Sequence, residues 1–370
     1  MSSVVATRAL RAVVVLNLLW LAGCAVLRPT ELPRRPAAEV RAELVSLMPA
    51  GVDDRAGWAA DIETAFAARH IEASSANLCA TLSVIAQESS FRAAPVVPGL
   101  SRIARGEIER RAAAAHIPDF LLDKALSLES ANGQSYDERL DTVRTESDLS
   151  DLFEEFIARV PLGSTLFGGF NPVQTGGPMQ VAIDFAEQHA DDYPYDDAQS
   201  LRAEVFSRRG GLYFGIVHLL GYDVDYPSPL YRFADYNAGW YASRNAAFQR
   251  AVSQLTGTDL ALDGDLISYR AFSVSNTERA TKSLSDRLDM GEGPIRRDLT
   301  EGSGPDFERT RLYKRVYALA DKAAGERVAR VILPGIKLES PKISRDLTTA
   351  WFAERVYSRW QACMGRAGRP

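Results

Sequence analysis

Three cysteines, Cys24, Cys79 and Cys363, constrain this chain more than any other feature, because one closes a leader and two do not. Arg8 and Arg11 precede an apolar run from Ala12 to Ala22, broken only by Asn17. That run is too short to cross a bilayer and suits the apolar region of a signal peptide. Export would carry Cys79 and Cys363 into an oxidising compartment as an even pair, where a disulfide between them is an open possibility. The bridge would clamp the helix that leads to Glu88 onto the C-terminal helix, across almost the whole mature chain. The alternative is two buried thiols, since cysteine also packs as a small apolar residue.

The leader ends in Leu21-Ala22-Gly23-Cys24. This string resembles a bacterial lipobox, which implies cleavage before Cys24 and acylation of that residue. Each buried acyl methylene adds roughly 0.8 kcal/mol to anchoring, so several chains on one cysteine would hold the protein firmly. Ala25, rather than Asp, follows the cysteine. By analogy with lipoprotein sorting this favours the outer membrane, with the body facing the periplasm or the cell surface. Pro29, Pro33 and Pro36, interspersed with Arg28, Arg34 and Arg35, then make an extended tether over about Ala25 to Ala38. Losing Arg8 and Arg11 with the leader takes the formal charge from −5 to −7. An acidic chain lacks the basic face that nucleic-acid binding needs.

The body reads as mainly α. Trp58, Ile62 and Phe66 recur at four-residue spacing in a helix from Ala56 to His70. Ser74 and Ser75 are N-cap candidates for a helix from Ala76 to Ser90, with Leu78, Leu82 and Ile85 as its inner stripe. Glu88 continues that stripe, an unusual place for a carboxylate. Further helical patterns run over Leu100 to Ala115, Pro118 to Leu128, Leu149 to Val160, Val181 to Gln188, Trp240 to Leu255, Arg309 to Ala329 and Leu347 to Met364. Leu201 to Gly221 reads as helix interrupted at Gly210-Gly211, and Leu260 to Tyr269 as a hairpin or loop.

Three strings occur in order: Gln87-Glu88-Ser89-Ser90-Phe91, Gly177-Pro178-Met179-Gln180-Val181 and Tyr236-Asn237-Ala238-Gly239. Together they resemble the catalytic core of lytic transglycosylases, lysozyme-like enzymes that cut peptidoglycan glycan strands. Two departures stand out. Pro178 replaces the leucine of the family's Gly-Leu-Met-Gln, and Gly177 lies 89 positions after Glu88, farther than the family usually places it. The resemblance implies a lysozyme-like helical domain from 46–91 and 177–256, with a helical insertion at 92–176 and a C-terminal helical extension at 257–370. The leader occupies 1–23 and the anchor and tether 24–45.

It also implies roles. Glu88 would act first as acid and then as base, with no second carboxylate and no cofactor, and burial among apolar groups would suit it to donate a proton. Ser89 would orient Glu88, while Met179, Gln180, Tyr236 and Asn237 would position the muramoyl sugar. The partners implied are peptidoglycan glycan strands and, through Cys24, a membrane. The alternative is a non-catalytic envelope lipoprotein that binds glycan or protein and peptide partners through the same groove.

The chain is also similar to a family of proteobacterial outer-membrane lipoproteins. Pro49-Ala50-Gly51-Val52, Asn77-Leu78-Cys79-Ala80 and Leu347-Thr348-Thr349-Ala350-Trp351-Phe352 carry that likeness, which implies location and architecture rather than a reaction. His70, His116, His189 and His218 show no metal-site spacing. Asp259, Asp263 and Asp265 around Gly264 do not follow the calcium-loop pattern. Asp184 and Asp235 would be the reserve carboxylates for a hydrolase, although surface positions are their default expectation.

Overall fold

A computed structural model describes residues 35–159, 171–196, 200–269, 273–338 and 347–368. The leader, Cys24 and most of the tether lie outside the described residues. The fold is mainly helical, with 63% of the described residues in helix.

The last residues of the 24–45 span assigned to anchor and tether are helical. Helix α1 (Ala37–Leu47) already buries Val40, Leu44 and Leu47. It packs with α2 (Arg55–Ala68) and α3 (Ser75–Glu88). Ser74 caps α3 by accepting the Asn77 amide. Every residue from Leu78 to Ile85 is buried, so α3 is covered all round and its burial is wider than the expected single stripe.

The inserted segment contributes α4 (Leu100–Ala114), α5 (Asp119–Leu126), α6 (Tyr136–Thr142) and α7 (Glu146–Arg159). A reciprocal capping box between Ser135 and Glu138 starts α6, a helix too short to announce itself by periodicity. Leu100, Ala104, Tyr136, Leu140, Leu149 and Leu152 join the same core as α1 to α3.

A small antiparallel hairpin follows, β1 (Thr175–Gly176) with β2 (Val181–Ala182), in the register Thr175 opposite Ala182 and Gly176 opposite Val181. The chain then forms α8 (Ile183–Gln188), α9 (Leu201–Phe206), α10 (Arg208–Leu220), α11 (Pro229–Ala238) and α12 (Ala242–Thr256). The break between α9 and α10 falls at Ser207, whose hydroxyl accepts the Gly210 amide, rather than at Gly210-Gly211. Those glycines lie inside α10, with Glu204 pressing on Gly210 and the hairpin turn on Gly211. A Cβ on Gly211 would sit 2.4 Å from Pro178 Cδ, and one on Gly215 would sit 2.5 Å from Met179 Cβ and Sδ.

A second core builds on α12. Phe248, Ala251 and Val252 pack with α13 (Asn276–Lys282), α14 (Ser285–Leu288), α15 (Glu292–Thr300) and α16 (Arg311–Ala324). Leu260 to Tyr269 is a loop. The segment after Gly257 therefore divides. Its helices to Ala324 have this core of their own, while α17 (Thr349–Ala367) returns to the first core with Phe352, Ala353, Val356 and Cys363. A strand pair, β3 (Lys337–Leu338) with β4 (Leu347–Thr348), leads into it.

The return is fixed at several points. Trp360 Nε1 donates to the Ala76 carbonyl at 3.0 Å and Arg366 to that of Leu47 at 3.1 Å. Cys363 is disulfide-bonded to Cys79, and both residues are at most 2% exposed. Closing so long a loop restricts the unfolded chain, an effect worth about 2–5 kcal/mol. Replacing both cysteines with alanine is expected to lower the unfolding free energy by that amount in denaturant titrations, and thiol assay of the unreduced body should find neither Cys79 nor Cys363 free.

Candidate functional site around Glu88

Glu88 is the last residue of α3 and emerges half-buried from an otherwise enclosed helix. Ser90 and Phe91 immediately after it both take positive φ, 51° and 61°. Two successive non-glycine residues in the left-handed region are costly, and such strain concentrates at functional sites. Phe91 is held there by an edge-on contact with Trp58, centroids 5.6 Å apart. Hydrophobic patterning gives no signal for this turn.

The second and third strings meet within electrostatic reach of Glu88. The Tyr236 hydroxyl donates to the Met179 carbonyl at 2.5 Å. Burial first, and then the charge of Glu88, push the Tyr236 pKa well above its ordinary value. The Tyr236 ring tilts against His218 at 4.8 Å and stacks on Phe352 of α17 at 6.4 Å.

Several expected roles change in this setting. Met179 is fully buried against Gly215, so its side chain is core and does not offer itself to a sugar face. Ser89 is also buried. Its hydroxyl donates to the Ile85 carbonyl and accepts the Arg92 amide, closing the end of α3 instead of orienting Glu88. Asn237 is exposed, and its Oδ1 accepts from Thr349 Oγ1 at 2.9 Å, tying α11 to the start of α17. Gln180 has φ 54°, and its Nε2 donates to Glu146 Oε2 at 3.0 Å. The string Gly177 to Gln180 is a hairpin turn rather than a helix start, because Gly177 also takes positive φ and the helix begins only at Ile183.

Glu146 was not singled out by sequence reasoning. It is 5% exposed and lines a cavity of about 440 Å³ with Leu100, Ile103, Arg110, Leu149 and Val173. The inserted segment thus reaches the second string directly.

Asp235 is fully buried, contrary to its expected surface position. It accepts from Tyr226 at 2.7 Å, Tyr222 at 3.1 Å and the Ser243 amide at 2.7 Å. Burial raises its pKa against the opposing pull of these donors. The last donor lies in the first turn of α12, so Asp235 joins α11 to α12 as a hydrogen-bond acceptor at a helix start. Asp263 is likewise spoken for: its Oδ1 accepts from Gln249 at 2.8 Å and from the Asp265 amide at 2.9 Å. Among the described residues no group of three His, Cys, Asp or Glu could hold a metal ion. Nor is any described helix long and apolar enough to cross a membrane.

The model of a family described as "Protein of unknown function (DUF1615)" matches residues 51–366. The chain belongs to that family. It is 53% identical over 350 residues to the "Uncharacterized protein YaiW" of Escherichia coli (strain K12), covering 94% of this chain and 96% of that one. No solved structure matches it. The DUF1615 span contains Glu88, both disulfide cysteines and all three strings.

Two outcomes test this geometry. A Cβ on Gly177 would sit 2.1 Å from the Val205 carbonyl oxygen, at φ 74°. Gly177→Ala is expected to cost upward of about 2 kcal/mol in urea unfolding, whereas Gly51→Ala, with nothing within 4 Å, should be near neutral. His218 has its pKa lowered from 6.5 to about 4, chiefly by burial and then by His189. On acidification the unfolded chain binds this proton first, so stability present above pH 6.5 is lost as pH falls toward 4. His218→Gln should flatten the decline in urea midpoint between about pH 7 and 5.

Proposed function

We propose that the protein is an outer-membrane lipoprotein, anchored through Cys24, that cleaves peptidoglycan glycan strands in the manner of lytic transglycosylases. One observation carries the reading: Glu88 emerges from a buried helix within electrostatic reach of Tyr236, whose hydroxyl holds the Met179 backbone, which links three strings far apart in the chain.

The chemistry needs one carboxyl group. Glu88 gives its proton to the glycosidic oxygen as the bond to the anomeric carbon breaks. The carboxylate then takes the proton of the muramoyl C6 hydroxyl while that oxygen closes on the anomeric carbon, leaving a 1,6-anhydro ring. Tyr236, anchored on the turn, holds its position within electrostatic reach of Glu88. Gln180, bonded to Glu146, fixes the far side of that turn.

The buried Met179 and the backbone-bound Ser89 favour a second reading, in which the groove binds glycan or a protein or peptide partner without cutting it. Purified sacculi incubated with the protein and resolved by mass spectrometry separate the two. Anhydromuropeptides are expected, with Glu88→Gln reducing their release by about 100-fold or more. Reducing-end products would overturn the lytic mechanism. Retained sacculus binding with no turnover would establish the binder.

A further inference from the structure

A cavity of about 150 Å³ opens where the third string meets the segment beyond Gly257. Gly239 and Trp240 line one side, and Gly264, Asp265, Tyr269 and Gly302 the other. We propose that this cavity is a saccharide subsite that takes one N-acetylhexosamine ring. Tyr269 forms its aromatic wall, and the Asp265 carboxylate accepts from ring hydroxyls. The inference rests on the glycan reading and extends it to residues beyond the three strings.

The volume suits a single sugar ring, since pockets for drug-sized ligands run to about 300–1,000 Å³. Tyr269 is 76% exposed, a large ring left in solvent at the rim. Aromatic side chains with a polar handle suit ligands that are apolar on one face and hydroxylated at the edge. Trp240 is scaffold behind the Gly239 backbone: its Nε1 donates to the His218 carbonyl at 2.7 Å, its ring stacks on Tyr222 at 5.2 Å, and Phe185 and His189 meet it edge-on at 5.4 and 5.1 Å. Gly239 has open space where a Cβ would stand, so the string's backbone is approachable there.

The opposite wall is built rigidly. Asn245 Nδ2 donates to the carbonyls of Gly264 at 3.2 Å and Gly302 at 2.9 Å. The buried Arg244 guanidinium donates to Gly302 at 2.7 Å and Gly304 at 3.0 Å while lying over Tyr241. Among the described residues no side-chain donor meets the Asp265 carboxylate, whereas its neighbour Asp263 is already bonded. Walls fixed before the ligand arrives lower the cost of binding it.

The test uses the purified Glu88→Gln protein, so that turnover does not interfere, and chitotetraose titrated by calorimetry. Adding Tyr269→Ala or Asp265→Asn is expected to raise Kd roughly three- to tenfold with an unchanged melting temperature. Phe120→Ala, an exposed ring on α5, should leave Kd as it was. An unchanged Kd in both rim variants, or no binding of chitotetraose at all, overturns the subsite. The catalytic reading fails separately, through absence of anhydromuropeptides from the unmutated protein.

Discussion

The packing of α17 on α3, locked by the Cys79–Cys363 bond, is the contact on which the rest of the structure depends. It helps the first core bury α3 from Leu78 to Ile85 and leaves Glu88 where that helix surfaces. The same C-terminal helix supplies Phe352 behind Tyr236 and Thr349 beneath Asn237. A segment that begins 261 residues after Glu88 therefore shapes its immediate surroundings.

The helices were legible where apolar spacing is long and regular, as in α2, α3 and α4. The cysteine pair was legible as a possibility because its parity follows from export. The surroundings of Glu88 were less so. Met179 and Ser89 carry residue types that suit sugar contact, yet packing against Gly215 and a bond to the Ile85 carbonyl consume them. Asp235 is polar and still buried because two tyrosines and a helix start receive it. Such outcomes depend on partners distant in sequence, which no local pattern encodes.

The glycines of α10 show the same logic from the other direction. Read locally, Gly210-Gly211 breaks a helix. In three dimensions, Gly211 and Gly215 make room for Pro178 and Met179, and this places the turn carrying Gln180 against the inserted segment at Glu146. Pro178 is accommodated by a glycine on the facing helix.

On the proposed function, Glu88 faces the glycosidic bond to be cut. The most direct measurement is a crystal structure of the Glu88→Gln protein with a muramoyl-containing tetrasaccharide. The account predicts a glycosidic oxygen about 3 Å from the residue-88 side chain, with the neighbouring sugar beside Tyr236. A glycan bound elsewhere, with residue 88 out of reach of every glycosidic oxygen, would contradict it.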